Sequence, residues 1–169
     1  MSKAFTRELD DAPERPVARR MPPALPSGAK NYLTPDGARR LREERERLVH
    51  VDRPQAMAFS ETPDPRRLQT VDERIAQIEE SLATAEIVTP PGGPVEQVRF
   101  GATVTVRDRA GSESQYRIVG IDETDIDRGW VSWRSPIARA LLNARIGQRV
   151  RFRFPSGEED LEVVGIAYE

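Results

Sequence analysis

The sequence predicts an α+β protein: an N-terminal antiparallel helical hairpin (coiled coil), then a small antiparallel sheet domain carrying one helix. Three observations predict it. The apolar residues Leu68, Val71, Ile75, Ile78, Leu82 and Ala85 recur at alternating spacings of three and four, a heptad seam. The stretch Thr89-Pro90-Pro91-Gly92-Gly93-Pro94 then breaks the chain. Beyond it the apolar period becomes two, as strands require.

Each element follows in order. Residues 1–30 hold five prolines and only four Leu, Ile, Val or Phe residues, against 34 in residues 31–169. So little apolar surface cannot offset the entropy of ordering, and a disordered tail is expected. Thr34-Pro35-Asp36 supplies a capping oxygen, a proline at the first helical position and an acid at the positive end of the helix dipole. A helix is expected from there to about residue 59, kinked at Pro54, whose nitrogen cannot donate. Its apolar face is thin: Ala38, Leu41, Leu48, Val51 and Phe59.

Ser60-Glu61-Thr62-Pro63-Asp64-Pro65 stops that helix. Asp64 is placed to cap a second one, with Pro65 at its first position. The seam of the second helix needs a partner, and the first helix across this short turn is the nearest. The hairpin is therefore expected over residues 31–89, with its tip at 60–65. Its charge-rich outer faces favour projection into solvent over packing flat. Arms of roughly 23–25 residues would reach on the order of 35 Å.

Residues 90–96 read as a linker and 97–169 as the second domain. Phe100 to Val106, Tyr116 to Gly120, Val131 to Trp133, Val150 to Phe154 and Leu161 to Ile166 read as about five strands. Ser135-Pro136-Ile137-Ala138-Arg139-Ala140-Leu141-Leu142 has a capping serine, a proline after it and apolar residues on one side, and reads as one short helix. Trp130, Trp133, Phe152 and Phe154 are expected to pack the core.

Composition narrows the chemistry. There is no cysteine and one histidine, so disulfides, thiolate nucleophiles and histidine-rich metal sites are excluded. The lack of thiols is compatible with a reducing compartment. No apolar run approaches the roughly 18 residues that span a bilayer, and Met1 to Arg7 has no apolar run of the secretory kind. A soluble, cytoplasmic protein without membrane contact is expected. Net charge is −2, and no segment has the basic excess of a duplex binder, which argues against direct, sequence-specific DNA binding.

Few residues carry chemistry. No glycine-rich phosphate loop is present. His50 lies between Val49 and Val51 and reads as a surface or boundary histidine. Asp122-Glu123-Thr124-Asp125-Ile126-Asp127 lacks the glycine and terminal glutamate of a calcium loop and reads as a solvated turn. Glu61 and Asp64 stand at the tip, where two carboxylates could help hold a Mg²⁺ completed by a partner. The plainer reading, which the flanking Pro63 and Pro65 favour, makes Asp64 the helix cap and leaves Glu61 solvated.

Several stretches together resemble the GreA/GreB transcript-cleavage factors, nearest the GreB branch. They are Asn31-Tyr32-Leu33-Thr34-Pro35, Glu86-Ile87-Val88, Phe100-Gly101-Ala102-Thr103-Val104, Arg117-Ile118-Val119-Gly120 and above all Ser135-Pro136-Ile137-Ala138-Arg139-Ala140-Leu141-Leu142. Met1 to Arg7 is similar to starts in that branch. The resemblance implies a coiled-coil hairpin and an FKBP-like C-terminal domain. It further implies binding to RNA polymerase as a monomer: the globular domain docks at the rim of the secondary channel and the hairpin enters it. Acids at the tip would then help hold a Mg²⁺ shared with the polymerase, the factor having no cofactor of its own and being no enzyme. By this resemblance Ser135, Pro136 and Arg139 are docking residues, and Arg66 and Arg67 are positions that could meet RNA, although arginines solvated at a helix start are the plainer reading. Arg134 stands where some relatives carry an acid.

The tip departs from the family pattern. Ser60-Glu61 matches its Ser-Glu and Asp64 lies near its trailing acid, but its leading Asp is Ala58 here and its Asn, Ala and Tyr are missing. The hairpin is shorter by about fourteen residues, near one heptad per arm, which removes roughly 10 Å of reach. The expectation is a polymerase-binding factor that modulates elongation, with weak or lost cleavage stimulation. The alternatives are a fully functional cleavage factor, an Rnk-like regulator that binds something else, and a peptidyl-prolyl isomerase suggested by the FKBP-like sheet.

Overall fold

A computed structural model describes residues 28–58 and 65–168. Residues 1–27 of the expected tail, Phe59, and the tip carboxylates Glu61 and Asp64 lie outside the described residues.

Strand β1 (Asn31–Leu33) leads into helix α1 (Pro35–Arg47). Thr34 caps it as its sequence implies: the backbone is extended and Thr34 Oγ1 accepts from the Gly37 N–H at 2.9 Å. The expected kink at Pro54 takes a different form. Leu48–Asp52 is a π-helical turn in which the Arg53 N–H reaches the Leu48 carbonyl, and α2 (Arg53–Ala58) continues from it. Proline has no N–H and its ring crowds the carbonyl four residues back, so widening the turn ahead of it avoids the clash. The wide turn also shifts the helical phase. Val51, expected on the inner face, is 44% exposed, while Ala56 is buried.

Helix α3 (Pro65–Thr84) carries the heptad seam. Val71 and Ile78 are buried with Leu33, Ala38, Leu41 and Leu48, and Ile75 and Leu82 pack against this cluster. Ion pairs Arg45–Glu79 at 2.9 Å and Arg53–Asp72 at 2.7 Å cross between the helices with numbering that rises on one and falls on the other, so the two run antiparallel.

The helix stops one residue short of the seam. Ala85, its last expected member, begins strand β2 (Ala85–Ile87), which pairs in parallel with β1. Asn31 ends the helix: its side-chain amide donates to the Ser81 carbonyl at 3.0 Å, one of the carbonyls a helix C-terminus leaves unpaired.

The second domain is a five-stranded sheet of β3 (Thr103–Arg107), β4 (Glu113–Val119), β5 (Trp130–Ser132), β6 (Arg149–Phe154) and β7 (Gly157–Ala167), in the order β5-β4-β3-β7-β6. Helix α4 (Pro136–Leu141) buries Ile137, Ala138 and Leu141 against Val98, Val104, Ile118 and Val163. The sheet is mixed where a purely antiparallel one was expected, because β5 pairs in parallel with β4. A parallel neighbour needs a crossover in place of a tight turn, and residues 120–129 make it through two short 3₁₀ turns.

The aromatic residues divide. Trp133 and Phe152 pack against the core. Phe154, near the end of an edge strand, is 36% exposed and rests on Phe152 at 5.3 Å. Trp130 is not a core residue; it lies among arginines. Among the described residues no helix is long and apolar enough to cross a membrane.

Candidate functional site

Two surfaces are candidates: the cap of α4 and the joint between the helical pair and the sheet. At the first, Ser135 has extended backbone and its Oγ accepts from the Ala138 N–H at 3.2 Å, while Pro136 occupies the first helical position. Backbone bonds of 2.8 Å from the Asn143 N–H to the Val98 carbonyl, and from the Val98 N–H to the Ala144 carbonyl, clamp the far end of the helix. Asn143 takes a left-handed φ of 68°, a conformation asparagine tolerates just past a helix C-terminus. The buried side is thus fixed, and Pro136 and Arg139 face solvent. Ser135, Pro136 and Arg139 fall on one turn, with the serine oxygen accepting as the cap. Arg134 is exposed beside them. Arg66 and Arg67 are exposed on the first turn of α3. His50 is on the surface, with Nε2 at 3.1 Å from Glu46 Oε2.

The joint is what sequence reading missed. Asp122 and Glu123 belong to the stretch expected to be a solvated turn, yet Glu123 is 6% exposed. Its Oε2 accepts from the Thr34 N–H at 2.9 Å and the Gly120 N–H at 3.0 Å, and its Oε1 accepts from the Thr34 hydroxyl. Arg40 Nη2 stands 3.6 Å from Oε1. The approach is close enough that a Cβ on Gly37 would overlap the carboxylate, and a Cβ on Gly120 would overlap the Tyr32 carbonyl. Asp122 accepts from the Ser81 hydroxyl in the last turns of α3. The crossover that makes β5 parallel therefore carries both acids back under the helices.

Aromatic and cationic groups ring this joint. Tyr32 meets Trp133 at 5.1 Å and Phe100 at 5.7 Å between ring centroids. Arg40 lies 4.4 Å over Trp130, with Arg117 at 5.1 Å and Arg128 at 5.3 Å. Asp36 accepts from Arg39 and sits 3.2 Å from Arg40 Nε. The Arg39 hydrogen bond holds its carboxyl below the usual carboxylate range, with help from the Arg40 charge and against a smaller opposing effect of burial. Among the described residues no three His, Cys, Asp or Glu side chains are grouped as a metal site would need.

The chain thus joins an antiparallel helical pair to a small mixed sheet that carries one helix. The family described as Transcription elongation factor, GreA/GreB, C-term matches residues 93–168. "Transcription elongation factor GreB" of Neisseria meningitidis serogroup A (strain Z2491) is 36% identical over 154 residues, covering 82% of this chain and 94% of that one. "Transcription elongation factor GreA" of Alkalilimnicola ehrlichii is 39% identical over 156 residues, covering 83% and 99%. Among solved structures, the GreA factor homolog 1 (Gfh1) protein of Thermus thermophilus is 26% identical, covers 82% of this chain and 99% of its own, and has a TM-score of 0.40. The chain belongs to the GreA/GreB transcription elongation factor family.

Proposed function

We propose that the protein binds bacterial RNA polymerase at the rim of the secondary channel. The surface of Pro136 and Arg139, built on the Ser135 cap, makes the docking contact, and the helical pair enters the channel as a coiled-coil hairpin. In this reading it modulates elongation without strong transcript cleavage. Family membership supports polymerase as the partner. The observation that carries the finer reading is length. The match to the Neisseria GreB runs over 154 positions but takes up 82% of 169 residues, about 139, so about 15 positions have no residue here. That is the size of the shortening read at the tip from the sequence.

The chemistry makes reach decisive. Carboxylates coordinate Mg²⁺ only at about 2.0–2.1 Å, so a tip that stops several ångströms short supplies no ligand whatever its charge. Glu61 and Asp64 are the candidates for any residual help to a Mg²⁺ shared with the polymerase.

Backtracked elongation complexes test this. The protein alone should shorten the RNA little, and in excess it should slow the cleavage stimulated by a full-length factor. Arg139→Glu should abolish that competition. Robust RNA shortening that Glu61→Ala removes would overturn the proposal in favour of a working cleavage factor.

A further inference from the structure

We infer that Glu123 is the positioning residue that sets the direction of the helical pair relative to the sheet domain. Apolar contact, such as Tyr32 against Phe100 and Trp133, is non-directional and tolerates tilt. A carboxylate held by donors from two elements does not, because each hydrogen bond prefers a narrow range of distance and angle. Glu123 takes two such bonds from Thr34, at the start of α1, and one from Gly120, at the end of β4. One attachment would leave a pivot. The neighbouring Asp122 supplies a second by accepting from Ser81 on α3, so residues 120–123 hold both helices at once. Gly37 and Gly120 lie where a side chain would force the two parts apart.

The lever magnifies small errors at the joint. Helix α3 has 20 residues, about 30 Å, so a rotation of about 10° at its base moves its far end about 5 Å. The inference concerns the free protein and does not depend on which partner the arm meets.

The chain lacks cysteine, so spin labels can be placed at will. Full-length protein labelled at Gln69→Cys on α3 and Ser114→Cys on β4, both exposed, is measured by double electron–electron resonance, with circular dichroism confirming helix content. The unaltered joint should give one narrow distance distribution. Glu123→Ala should broaden it or move its centre, by about 4 Å for each 10° of rotation at that label. Thr34→Ala should do the same in part, and Thr34→Ser, which keeps the hydroxyl, should restore the narrow distribution. If Glu123→Ala loses helix, Glu123→Gln and Thr34→Ala carry the test. A distribution as narrow and identically centred in every variant that retains its helices would overturn the inference.

Discussion

The fold treats the carboxylates at the joint and those on the outer face of the sheet differently. At the joint, Glu123 is enclosed and receives backbone N–H groups along with a hydroxyl. On the outer face of β6 and β7, Glu158, Asp160 and Glu162 form a ladder with Arg149, Arg151 and Arg153, all three arginines being more than half exposed. Both are dense in charge, yet only the first fixes geometry. Exposed pairs gain little because water and salt screen them and long side chains lose entropy. An enclosed carboxylate leaves several donors stranded when it is removed.

That contrast breaks first at Glu123. Glu123→Ala should lower stability by about 3–5 kcal/mol, because it strands the Thr34 and Gly120 N–H groups and the Thr34 hydroxyl at about 1–3 kcal/mol each. Urea unfolding followed by tryptophan fluorescence reads it well, since Trp130 and Trp133 both lie at the joint. A loss no larger than that of a ladder residue would erase the distinction. Ser81→Ala should cost less, about 1–2 kcal/mol. It removes the donor to Asp122 and an acceptor for the Asn31 amide, but that amide keeps the Ser81 carbonyl and the Thr84 hydroxyl.

The ladder should respond to solution conditions more than to mutation. Hydrogen bonds from Arg109, then from Arg151, hold the Asp160 carboxyl below its ordinary value of 3.8. With the folded value depressed, its contribution is complete above the ordinary value and is lost as pH falls through the lower one. Asp160→Asn should therefore shift the melting temperature slightly at neutral pH in low salt. The shift should vanish in about 1 M salt, where the Debye length is about 3 Å. Persistence of the difference at high salt would place Asp160 in the same class as Glu123.

How much of this was legible follows from how local each signal is. Thr34, Pro35 and Asp36, or Ser135 and Pro136, act within one turn of chain, and both caps formed as read. The α3 seam is periodic from Leu68 to Leu82, about four turns, long enough to identify the buried side. The joint depends on groups 89 residues apart, Thr34 and Glu123, and an acidic hexapeptide looks solvated until its partner is known. A usable hint was present in Gly120, directly after the buried run Ile118-Val119, because a glycine there permits close approach of another backbone. The parallel pairing of β5 was hidden for a related reason: a ten-residue connection reads as a loop until the strand beyond it is placed. Ser135, Pro136 and Arg139, the proposed docking residues, were legible as a helix cap, whereas what such a cap meets is a property of a partner.

The smallest effect tests the phase of the helical pair. A regular helix from α1 through Pro54 would carry the apolar face from Leu41 and Leu48 to Val51, and a lysine there would bury a charge. The π-helical turn at Leu48–Asp52 rotates Val51 outward, to 44% exposure, and brings Ala56 in at 1%. Val51→Lys should then change stability by no more than about 0.5 kcal/mol, as for other surface substitutions, read by thermal or urea unfolding. A loss of several kcal/mol would mean that the helix runs regularly through this region. Neutrality would mean that one proline, by denying a donor at position 54, decides which residues the arm turns toward its partner helix and which it leaves on its surface.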